Sequence, residues 1–70
     1  MDPEELVLVA LNADRLTEEQ AEQISGMGIT ELLKHGLQYS EALTVLERAE
    51  IALRRGIEKR VSWGLENSSN

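Results

Sequence analysis

Cysteine is absent from this chain of 70 residues, so no disulfide can staple it and no thiolate can bind zinc. Phenylalanine is absent too, and Tyr39 and Trp63 are the only aromatic residues, which leaves Leu, Ile, Val and Ala to build any core. His35 is the single histidine, with neither an HExxH pattern nor an Asp-rich loop around it. The longest uninterrupted apolar run, Leu6 to Leu11, has six residues, whereas crossing a bilayer takes about 20. That run follows acidic residues, not the basic stretch that opens a secretory leader. These absences point to a cytoplasmic protein with no cofactor, no metal and no membrane partner. A large enzyme is excluded, because a chain of this size buries only roughly 60% of its unfolded surface.

What the chain does have is acid. Thirteen Asp and Glu against seven Lys and Arg give a net charge of −6, which repels nucleic acid and anionic membranes at long range. The charge is uneven: residues 1–47 balance to −8, whereas residues 48–70 balance to +2. Arg48, Arg54, Arg55, Lys59 and Arg60 supply the basic end, and the last four are candidate contacts for an anion or an acidic partner.

Helix signals dominate the local pattern. Asp2-Pro3-Glu4-Glu5 predicts a start with Asp2 as cap, Pro3 in the first turn and Glu5 completing a capping box. The first helix is then expected over about 3–12, although its apolar body could by periodicity alone be a buried strand. Thr17-Glu18-Glu19-Gln20 is a second capping box, flanked by Leu16 and Ala21 as a hydrophobic staple, and predicts a helix over 18–25 that Gly26-Met27-Gly28 stops. Thr30 restarts a short helix ended by Gly36, and Ser40 is expected to cap the next. From Glu41 to about Arg60, Ala42, Val45, Leu46, Ala49, Ala52, Leu53 and Ile57 recur at three and four, the mark of one buried stripe. Ala42, Ala49 and Gly56 lie seven apart on it, and small residues on one face let another backbone come close. Gly56 could instead end the helix, but Ile57 and Val61 keep the period beyond it.

No pair of nucleophile and base is legible, and Gly26 and Gly28 lack the flanking strand and lysine of a phosphate loop, so no catalytic residue is assigned. Two short helices joined by a glycine turn over 18–35 could form a DNA-binding helix-turn-helix, with the basic end of the long helix on phosphate. The segment Thr30–His35 is poorly equipped for that role, offering one lysine, two leucines and a glutamate.

Tyr39-Ser40-Glu41-Ala42-Leu43 followed by Glu47-Arg48-Ala49 resembles the second helix of a tetratricopeptide repeat, which implies that the alanines receive a neighbouring helix. Glycines stand where the first helix of such a repeat should be, and there is no second copy. Gly36, Gln38-Tyr39 and Leu46-Glu47-Arg48-Ala49-Glu50 also resemble the turn and second helix of the small co-chaperones of type III secretion needle subunits, which implies a helical hairpin.

The reading is an all-α domain over 1–63, three short helices or a bent arm packed on one long C-terminal amphipathic helix, with a frayed polar tail over 64–70. Its surplus apolar surface points to non-catalytic protein binding, as adaptor, small chaperone or inhibitor, in a homo-oligomer or a constitutive hetero-complex. The expected contact residues are Leu6, Val7, Leu8 and Leu11 on the first helix and Leu46, Ala49, Leu53 and Ile57 on the long one.

Overall fold

The computed structural model describes residues 2–68, with side-chain surroundings as far as Gly64. Its elements are α1 (Pro3–Asn12), α2 (Glu18–Lys34) and α3 (Tyr39–Ser68), so the fold is all-α, with no strand among the described residues.

Helix α1 begins at Pro3 with Glu4 and Glu5 in its first turn, where carboxylates favour the positive end of the helix dipole. The capping box expected from Asp2 does not form: the Asp2 side chain makes no cap hydrogen bond, and its backbone carbonyl instead accepts from the Leu6 N–H at 2.9 Å. Leu6, Val7 and Ala10 face the interior. At the other end α1 has no basic residue in its last turn to meet the exposed carbonyls. Arg48, from the middle of α3, takes that place. Its Nη1 donates to the carbonyls of Ala10 and Leu11 at 3.0 and 3.1 Å, a charged cap that ties α1 to α3 across 37 positions of chain.

Helix α2 opens with the Thr17 capping box complete: the Thr17 hydroxyl accepts from the Gln20 N–H, and the Gln20 side chain accepts from the Thr17 N–H. Leu16 and Ala21 are both buried beside it. The glycine stop is real but sits later than its spacing suggested. Helical backbone passes Gly26 and breaks at Gly28, whose φ of 75° and ψ of 177° belong to a region that only glycine occupies at low cost. The second segment ends in a Schellman motif, in which Gly36 at φ 93° and Leu37 donate to the carbonyls of Leu33 and Leu32. Leu37 and Leu32 are both buried, supplying the apolar contact that accompanies this turn.

Ser40 does not cap α3. The carboxylate of Glu41 reaches back to accept from the Gln38 N–H at 2.8 Å, which moves the start of the helix to Tyr39. The helix then continues through Gly56 and past Arg60 to Ser68, about 45 Å at 1.5 Å per residue, which sets the longest dimension of 52 Å. Part of the polar tail expected over 64–70 is therefore helical, while Ser69 and Asn70 lie outside the described residues.

Helices α2 and α3 are antiparallel and make the main packing, with Glu18 at the start of α2 paired to Arg60 and the 35–38 turn closing the opposite end; α1 lies against both. The core is wholly apolar. Leu6, Val7, Leu16, Ile24, Leu32 and Leu37 bring its large side chains, whereas α3 contributes only Val45 and the alanines Ala42, Ala49 and Ala52.

Two substitutions test this description. Gly28→Ala is expected to lower the unfolding free energy by about 1–3 kcal/mol, whereas Gly26→Ala raises it by about 0.5–1 kcal/mol, both read by urea denaturation. Arg48→Met keeps the aliphatic stem and removes the cap; it should cost about 1–3 kcal/mol, and amide exchange should rise first in α1.

Candidate functional site

Because α3 lays alanine toward the core, its large aliphatic residues fall elsewhere. At about 100° per residue, Ala42, Val45, Ala49 and Ala52 share an arc of roughly 80°. Tyr39, Leu43, Leu46, Leu53, Ile57 and Val61 share a second arc of similar width beside it. Leu46 and Leu53 lie at the boundary, half-buried against the core. Tyr39, Leu43, Ile57 and Val61 are 61%, 44%, 56% and 56% exposed. One edge of α3 is thus an apolar strip extending from Tyr39 to Val61, interrupted by Glu50.

The contact residues expected from sequence divide accordingly. Leu6, Val7 and Ala49 are buried within the chain, Leu11, Leu46 and Leu53 are half-buried against its core, and Leu8 and Ile57 are exposed. Leu8 stands on α1 at a groove that Leu11, Leu37 and Glu41 also line, and Val9 follows it in the helix. Tyr39, Leu43 and Val61 were not among the contact residues expected from sequence. Their signal was available: positions 39, 43, 46, 50, 53 and 57 alternate four and three, a second seven-residue period offset from the alanine ridge.

The basic end divides as well. Arg48 turns inward to α1. Arg54 pairs with Glu50 at 2.7 Å, Arg60 pairs with Glu18, and Arg55 and Lys59 point to solvent. The Glu18–Arg60 pair lies over Gly56, where an added Cβ would come within 2.6 Å of the Glu18 carboxyl group. Gly56 thus ends the small-residue ridge by giving room to an ion pair.

No polar or charged side chain is buried among the described residues, and no cluster of His, Cys, Asp or Glu there could hold a metal ion. His35 lies 3.8 Å from Glu31, at the rim of an open groove of about 560 Å³ that also meets Glu4, Leu8, Lys34 and Glu41. Acids and bases alternate around that groove without converging on one point. No helix is long and apolar enough to cross a membrane among the described residues. What the surface offers chemically is apolar area on α3, bordered by charge.

No family model matches the chain, and neither a curated protein nor a solved structure matches it.

The division between core and surface has a direct test in circular dichroism and thermal melting. Ala49→Glu places a carboxylate at a fully buried position and should abolish the cooperative transition, whereas Leu8→Asp, 60% exposed, should change stability by no more than about 0.5 kcal/mol.

Proposed function

We propose that this protein is a non-catalytic interaction module that binds protein through the apolar edge of α3. The observation that carries the reading is the length of that edge, which Glu50 alone interrupts between Tyr39 and Val61. Isolated exposed aliphatic residues are ordinary on any surface, but Leu43, Ile57 and Val61 are linked through half-buried Leu46 and Leu53 into one strip. A helix lying along such a strip is held by side chains at the spacing found here. An adaptor, small chaperone or inhibitor would work in this way, and a role like that of the type III secretion needle co-chaperones would use the same surface.

Small size favours this reading too. A domain with an aliphatic core this thin and without disulfides commonly gains stability from association. Ile57 and Val61 are each 56% exposed, so covering what remains would contribute about 1–1.5 kcal/mol each.

The test is the mass of the assembly that contains this chain in its native source. It should exceed the 7.8 kDa of the single chain, and Ile57→Glu together with Val61→Glu should release a folded single chain. A native-source mass equal to that of the single chain would refute the module reading.

A further inference from the structure

We infer that the occupant of the α3 edge is the same edge of a second copy of this chain, packed antiparallel about a two-fold axis crossing α3 between Ile51 and Ala52. This rests on the interaction-module reading and names its partner.

The argument is self-complementarity. Beside the strip, α3 carries Glu47 and Glu50 before that midpoint and Arg54 and Arg60 after it. As far as Gly64, the other charges of the helix, Glu41, Arg48, Arg55, Glu58 and Lys59, are turned about 100° or more from the centre of the strip. A parallel second copy would place acid beside acid and base beside base. An antiparallel one places Glu47 and Glu50 beside Arg54 of the second copy, twice by symmetry, and charge at such flanking positions sets the orientation of paired helices.

The same axis matches the apolar residues. It sets Leu46 opposite Ile57 of the second copy, Leu43 within one residue of the level of Val61, and Tyr39 level with Gly64, along about 39 Å of helix. Glu50 and Arg54 pair within one chain at 2.7 Å but remain 67% and 64% exposed, so both can exchange that partner for the one across the axis. A polar layer at the centre of an apolar seam then fixes its register.

Absence of cysteine makes engineered cross-links unambiguous. Sedimentation of the purified chain at micromolar concentration should give twice 7.8 kDa. Ile57→Glu, and separately Val61→Glu, should each raise the dimer Kd about tenfold or more with helix content unchanged. A mixture of Leu43→Cys and Val61→Cys chains should oxidise to the mixed disulfide, and neither chain alone should cross-link, because identical positions lie about 27 Å apart in the antiparallel pair. Cross-linking of Leu43→Cys to itself would overturn the antiparallel arrangement. A wild-type monomer would overturn the second copy; if the native-source assembly is still heavier than one chain, the module reading survives, and if it is not, both fail.

Discussion

The alanine ridge of α3 is the constraint on which the rest depends. Helix α2 can lie along α3 because Ala42, Ala49 and Ala52 present little more than backbone, with Gly56 admitting the Glu18 carboxylate at the far end. A ridge of small residues contributes little apolar area of its own. The volume of the core therefore comes from the facing elements, through Leu6, Val7, Leu16, Ile24, Leu32 and Leu37. Close approach has a second effect. As far as Gly64, every large aliphatic residue of α3 except Val45 lies at the flanks of the helix or outside the core altogether. The exposed strip is thus the other side of the packing solution, not an addition to it.

Charge organises what packing leaves undetermined. Helix α1 meets the hairpin of α2 and α3 through Leu6, Val7 and Ala10, and its last turn lacks a basic residue of its own. Arg48 supplies one from another helix, turning an end effect of α1 into a tertiary contact. Arg60 does the same at the start of α2 through Glu18, in an exposed pair that contributes little stability but marks the register of the two helices. The basic end read as one patch in sequence is in the fold three different things: an internal cap, two ion pairs and two solvated side chains.

Much of this was legible from residue order. The span of α1, the Thr17 capping box, the ending at Gly36 and the passage of α3 through Gly56 all follow from local chemistry acting over four residues or fewer. The misplacements have local causes as well. Gly26 and Gly28 are equivalent in sequence, yet only Gly28 takes the left-handed backbone; Glu41 could reach Gln38, so Ser40 lost its place as cap. The candidate surface was half legible. A single stripe containing Ala49, Leu53 and Ile57 merged two arcs, one facing the core and the other solvent, because periodicity reports that a face is apolar and not what covers it. Arg48 gave no sign of its role, since its partners are carbonyls 37 and 38 positions away.

The central claim is that the small-residue ridge of α3 leaves an apolar edge that association covers, so that folding stability and binding are linked. The concentration dependence of the thermal midpoint of the unmodified chain tests that link most directly, since binding to the native state alone raises the midpoint by mass action. The account predicts a midpoint that climbs steadily as the protein is concentrated through the micromolar range. A sharp, reversible transition with the same midpoint at every concentration would contradict it.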